Sequence, residues 1–339
     1  MADKKFFKGK VATKITEDMV GKALLRVTGV SILPEFKRDA DGKLERDENG
    51  KAIVDTEKEI VVFNDNKATF RTKINFTKSQ LKVAFNETAT EATDVYVNVE
   101  ANKEVAEGLK RATDKDVLKT DTPLSLLLIC EKDGNTYKAE LLDFEFASYR
   151  KFSYHCDWAR TVTETIVGRV VARLNYVTFV PEFKRDASGN LERDENGKAI
   201  VDATRPLINF EGDGVDAKAK FRLSPYLAKS VATQFFGDDT LEEGKLYMSV
   251  TAFGYTAMNM KRANDANPFD ISTEFNFDLF TKKNDRYFNG QVLGFNKLPA
   301  RNNESTESDE SVGADIMNEA TEVTEGDTLP EGEEMEFPF

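Results

Sequence analysis

The sequence predicts a mainly β protein: two tandem small Greek-key barrels, each with a protruding β-hairpin, followed by a disordered acidic tail. Three observations predict it. Residues 34–55, PEFKRDADGKLERDENGKAIVD, return 147 positions later as residues 181–202, identical at 20 of 22 positions, with only Asp41/Ser188 and Lys43/Asn190 changed. A period of domain size signals a duplicated unit rather than a solenoid. Alternating apolar and polar residues, punctuated by Gly and Asn turns, run through both halves, the pattern of half-buried strands. The acidity is confined to one end: residues 301–339 hold 13 Asp/Glu and one Arg, so the body is nearly neutral within a total of −13.

The elements follow in matched order. Residues 1–19 are polar and basic and suit an arm or first strand. VGKALLRVTGVSILPEF from Val20 and VGRVVARLNYVTFVPEF from Val167 read as long strands leading into the repeat, with Arg26 and Arg173 at one offset. Within the repeat, Asp41-Gly42 and Asn49-Gly50 favour tight reversals. Residues 59–63 and 206–210 re-enter the core. Phe70-Arg71 and Phe221-Arg222 then match at an offset of 151, so the second copy has gained four residues. Residues 77–89 and 224–237 suit helices, 95–101 and 246–252 alternating strands, and 124–146 and 275–295 paired strands around a polar turn. Five strands and one helix per copy suit a small Greek-key barrel, with a β-sandwich as the competing arrangement. The expected division is 1–148, an aromatic and basic connecting segment 149–161, a second copy 162–300, and the tail 301–339.

Composition excludes several classes. No apolar run of 18 residues is present, so no membrane span is expected. The first residues lack the apolar core of a secretory signal, and two cysteines make no disulfide framework, so a cytoplasmic location is expected. His155 is the single histidine. No phosphate-binding Gly loop, nucleophile elbow or HExxH motif occurs, so no enzyme, cofactor or metal is expected. Asp39-Ala40-Asp41-Gly42 superficially begins a Ca²⁺ loop, but Lys43 and Gly50 stand where oxygen ligands belong.

The tail carries the most specific signal. A solvated acidic run needs no aromatics, yet this one ends in Phe337-Pro338-Phe339. A terminal Phe with its carboxylate fits a pocket with a basic rim on a partner. Glu333, Glu334, Glu336, Phe337, Pro338 and Phe339 resemble the acidic tip of bacterial single-stranded DNA-binding proteins, which ends in a terminal Pro-Phe that docks onto replication and repair partners. Several phage single-stranded DNA-binding proteins likewise end in an acidic tail with a terminal aromatic. The resemblance covers about nine residues. The body does not resemble the bacterial protein, whose subunits carry one OB-fold each.

The resemblance implies OB-like barrels that bind single-stranded DNA without sequence preference, in a bacterial host cytoplasm if the chain is viral. It also implies recruitment of a polymerase, helicase, primase or nuclease through the tail. Single strands need cations for phosphates and aromatic faces for bases. The duplicated pairs that supply both are Phe36-Lys37-Arg38 with Phe183-Lys184-Arg185, Phe70-Arg71 with Phe221-Arg222, and Arg26 with Arg173. Lys73, Tyr96 with Tyr247, Tyr137 with Tyr287, and Tyr149, Arg150, Lys151 and Trp158 of the connecting segment complete the candidates. Against them, Phe in alternating strands is ordinarily core, and Trp158 also suits packing between the copies. Each repeat is net −2, a poor phosphate clamp, so it also suits contact with a neighbouring molecule along DNA. The competing function is a β-rich structural or virion protein that binds no nucleic acid.

Overall fold

The computed structural model describes residues 9–147, 155–212, 216–222, 247–264, 275–283 and 288–297. The expected helix at 224–237 and the tail lie outside them. In the first half, strands β1 (Gly9–Lys14), β2 (Ala23–Val30), β3 (Val62–Asn64) and β4 (Lys67–Phe76) precede helix α1 (Lys78–Phe85). Strand β5 (Thr93–Ala101), helix α2 (Lys103–Asp114) and strands β6 (Leu124–Asp133) and β7 (Thr136–Phe146) follow. The second half begins with β8 (His155–Thr161), β9 (Val170–Val177), β10 (Ile208–Glu211), β11 (Asp216–Arg222) and β12 (Tyr247–Phe253). It ends with α3 (Gly254–Asn264), β13 (Phe275–Lys283) and β14 (Phe288–Lys297).

The chain is mainly β, in two seven-stranded sheets ordered β3-β4-β5-β7-β6-β2-β8 and β10-β11-β12-β14-β13-β9-β1. In both, the long strands pair antiparallel except β5 with β7 and β12 with β14, and the first sheet adds a single parallel bridge between β4 and β8. The first sheet curls on itself through an Ile32–Thr72 bridge and an Asn75–His155 contact. The second does so through Phe179–Phe221. This is an OB-like strand order, with the duplicated 34–55 stretch in the connection from β2 to β3 and β4.

Local sequence explains the elements. In β5, Val95, Val97, Val99 and Ala101 point inward while Asp94, Tyr96, Asn98 and Glu100 point out, the period-two alternation of a strand with one wet face. Helix α1 starts on a capping box: Thr77 Oγ1 accepts from Gln80 N, and Gln80 Oε1 accepts from Thr77 N. Such a cap contributes about 1 kcal/mol. Helix α2 was absent from the sequence expectation. Its signal is Asn102, which caps Val105 N, followed by Ala106, Leu109 and Ala112 at helical spacing toward the core.

The two halves exchange their first strands. β1 pairs with β9 of the second sheet, and β8 pairs with β2 of the first. The exchange is reciprocal: Thr13 opposes Val171 as Arg160 opposes Leu24, both at the 147-residue offset. A shared core fills the seam with matched pairs, Ile15 with Val162, Met19 with Ile166, Leu24 with Val171, and Leu142 with Leu293. The two sheets therefore do not divide at the 149–161 segment, because residues 155–161 belong to the first sheet.

The duplicated stretch is not a simple hairpin. It is a three-cornered unit closed by a ring of main-chain bonds: Lys37 N donates to Ile53 O, Ile53 N to Glu45 O, and Glu45 N to Lys37 O. Lys184, Glu192 and Ile200 repeat the ring. Two corners are written R-D-x-x-G. Asp39 Oδ1 accepts from the backbone N of Asp41 and Lys43, and Arg38 Nη1 donates to Gly42 O at 2.7 Å. Asp47, Arg46 and Gly50 do the same. Both glycines adopt φ near +78°, where other residues are strained. Asp39 Oδ1 thus serves main-chain donors of the turn.

One alignment is corrected. Phe221 does not take Phe70's place but that of Thr72: Ile32 bridges Thr72 as Phe179 bridges Phe221. Leu33 N and Val180 N donate to Arg71 O and Lys220 O in the same way. Lys220 therefore answers to Arg71, and Arg222 to Lys73. The extra residues of the second copy are split between the two sides of β11. Likewise Phe288, opposite Lys283, answers to Tyr137, opposite Lys132.

Candidate nucleic-acid interface

The outer face of β4 and β5 assembles three of the sequence candidates. Antiparallel pairing places Lys73 opposite Tyr96 and Arg71 opposite Asn98. Alternation turns all four away from the core, and Tyr96 is 54% exposed. The Arg71 guanidinium lies over the Tyr96 ring at 6.0 Å. The parallel neighbour β7 sets Lys138 beside Asn98. The face thus combines a stacking ring, an amide and three cations in a strip across three strands. Asn98 and Lys138 were missed in the sequence. Their signal was two-residue spacing from Tyr96 and a register that only the fold supplies.

The charges on this face are exchangeable. Lys73 pairs with Asp94 at 3.1 Å and Lys138 with Asp133 at 2.6 Å, both in solvent. Side-chain bonds from Asn75 and then Lys73 hold the Asp94 carboxyl below its usual range. Exposed pairs of this kind contribute little to stability, so a phosphate can replace the carboxylate at small cost. Beside the strip lies an open hollow of about 540 Å³, lined by Lys22, Arg71 and Lys138 but also by Glu35, Glu59, Glu100, Glu131 and Glu140. Its excess of carboxylates makes the hollow unfavourable for an anion, whereas the strip of Arg71, Lys73 and Tyr96 is net cationic. In the second sheet, β11 pairs Arg222 with Tyr247 as β4 pairs Lys73 with Tyr96.

Other candidates are placed elsewhere. Arg26 is fully buried, and Arg173 nearly so. Both meet Asp278 in the seam between the halves, Arg26 Nη2 donating to Oδ1 at 3.1 Å and Arg173 Nη1 to Oδ2 at 3.0 Å. Trp158 is buried as well, and its Nε1 donates to Asp278 Oδ2 at 3.0 Å. Arg173 Nε also lies 3.1 Å from Glu145. Burial alone would raise the Asp278 carboxyl, but the two guanidiniums outweigh it and hold it below the usual range. The expectation that Arg26, Arg173 and Trp158 face a DNA strand is therefore corrected: they join the two halves.

Phe70 and Phe221 are core residues, which corrects their assignment as stackers. Tyr137 packs edge-on to Phe85 and donates its hydroxyl to Glu87 at 2.8 Å, tying β7 to α1 rather than presenting a free ring. Arg38 and Arg185 close turns, and Phe36 and Phe183 are half-buried in the three-cornered units. Lys37 is half-buried and Lys184 exposed on the same units. Tyr149, Arg150, Lys151, Tyr287 and the tail residues Glu333 to Phe339 lie outside the described residues, as do the side chains of Arg222 and Tyr247. Among the described residues, no group of three or more His, Cys, Asp or Glu could hold a metal ion, and no helix is long and apolar enough to cross a membrane.

No protein-family model matches the chain, and no curated protein does. Two solved structures of the single-stranded DNA binding protein from Thermus aquaticus are similar to it, the wild type and a deletion mutant. They are 9% and 10% identical, and the match covers 84% of this chain and 96% and 97% of theirs. The TM-score is 0.19 in both cases, too low to bear on fold or function. The OB-like reading rests on strand order and register within this chain.

Proposed function

We propose that this chain is a non-enzymatic protein that binds single-stranded DNA without sequence preference. The first half offers one outer strip, Arg71, Lys73 and Tyr96, and Lys220, Arg222 and Tyr247 hold the same register positions in the second. The observation that carries the reading is the convergence of Arg71, Lys73 and Tyr96 on one solvent-facing strip of an OB-like sheet. Cations there take phosphates, and the ring takes a base face, a combination that tolerates any sequence. We take the two sheets as the two binding units, each completed by a strand from the other half, so that 155–161 is part of the first unit rather than a connector. Linking two sites raises overall affinity through effective concentration.

The tail 301–339 recruits replication or recombination proteins through Phe337-Pro338-Phe339, and its charge competes weakly with DNA for the strips. The setting that fits best is DNA replication in a bacterial cytoplasm, as for a phage protein. Trp158 is buried, so the test uses a labelled oligo-dT read by anisotropy rather than tryptophan quenching. Binding to dT and dA alike, with weak binding to duplex, is the expected result. Absence of binding to any single strand at low salt would overturn the reading in favour of a β-rich structural protein.

A further inference from the structure

We propose that the two three-cornered units are the surface through which one copy of this chain binds another. Their identity at 20 of 22 positions contrasts with the strands around them. Part of it follows from the scaffold: Arg38, Asp39 and Gly42, and Arg46, Asp47 and Gly50, build the corners. The scaffold does not account for Glu45, Glu48, Lys51 and Ile53. Among the described residues, no side-chain hydrogen bond or ion pair engages the three charged ones, yet Glu192, Glu195, Lys198 and Ile200 reproduce all four. Two surfaces on one chain that keep the same unbonded side chains are shaped for the same occupant.

The two positions that differ locate the contact. Asp41/Ser188 and Lys43/Asn190 both lie in the first corner, where their backbone N–H groups serve both turns alike and Asn190 Nδ2 adds a bond to Asp186 Oδ2 in the second. The second and third corners, from residue 44 to 55, are invariant between the units. No side chain of residues 34–59 is buried, and Leu44, Val54 and Val201 remain exposed. A rigid, main-chain-closed knob with uncovered apolar centres is preorganised for docking, because little freedom is lost on binding.

Charge chooses the occupant. The antiparallel Arg46–Ala52 bridge sets Glu45 opposite Ile53 and Asp47 opposite Lys51, so an acid and a cation, Glu45 and Lys51, share one side of the unit, and that side is complementary to itself when turned about. Each chain carries two such faces, so a like-to-like contact at one leaves the other free to take a further copy and continue a row. The occupant is therefore a second copy of this chain.

The test uses two full-length variants, Glu45→Lys with Glu192→Lys, and Lys51→Glu with Lys198→Glu, in sedimentation velocity without DNA. Wild type is expected to self-associate as its concentration rises. Each variant alone is expected to associate at least tenfold more weakly, and an equal mixture of the two to regain association, which also shows that both remain folded. A monomeric wild type, a variant that associates as wild type does, or a mixture that stays monomeric overturns the proposal. The affinity of the same proteins for an oligonucleotide long enough for one chain tests the DNA-binding reading separately, so the two can fail independently.

Discussion

The seam between the halves and the outer strip of the first sheet are built from the same residue types, and they do opposite things. In the seam, Arg26, Arg173 and Trp158 converge on one buried carboxylate, Asp278. On the strip, Arg71, Lys73 and Tyr96 face water, with Lys73 on the exposed carboxylate of Asp94. What separates them is the number of donors brought to one acid away from solvent. Buried ionic groups hold a structure together because each is costly without its partners. Exposed cations can give up a weak partner for a ligand.

The largest expected effect breaks the seam. Asp278→Ala leaves two guanidiniums buried without their shared anion, and should cost about 3–5 kcal/mol in denaturant unfolding. A loss under 1 kcal/mol would show that water reaches Arg26 and Arg173. Tyr96→Ala should leave unfolding unchanged and weaken binding of a short oligo-dT by about 1–3 kcal/mol, the contribution of one stacked base. Equal loss of stability and binding would erase the contrast between the two regions.

Gly294→Ala tests the seam sterically. A Cβ there would sit 2.5 Å from Trp158 Cδ1, and overpacking of this kind costs about 1–3 kcal/mol. Acid tests the same site through linkage. Asp278 is held below the usual carboxylate range, so its contribution is present above the unfolded-state value, about pH 4. It is lost as pH falls further through the folded value. Thermal melting between about pH 5 and pH 2 should show that loss in wild type, with a shallower slope in Asp278→Asn. The smallest effect is expected from Arg46→Ala, which should raise amide exchange within residues 47–51 and leave the melting temperature unchanged.

The duplication, the alternating strands and the turn residues were legible because each is a local pattern or an internal comparison. Burial of Arg26 and Arg173 was not. An arginine in an alternating strand looks the same whether it faces water or a carboxylate 252 residues away. Phe221-Arg222 was matched to Phe70-Arg71 by identity, and the register moved it by two because the inserted residues fall on both sides of β11. The strip was half legible: Tyr96 and Lys73 stood out as residue types, but their pairing needed the β4–β5 register. Strand exchange left no local trace, since β8 alternates as any edge strand does.

That exchange has a consequence for synthesis. β1 is the first described segment to leave the ribosome, yet its hydrogen-bonding partner, β9, ends at Val177. The first sheet is in turn one strand short until Thr161 has emerged. Neither half can be completed alone, and a nick in the connection between β7 and β8 should leave two fragments that still travel as one particle.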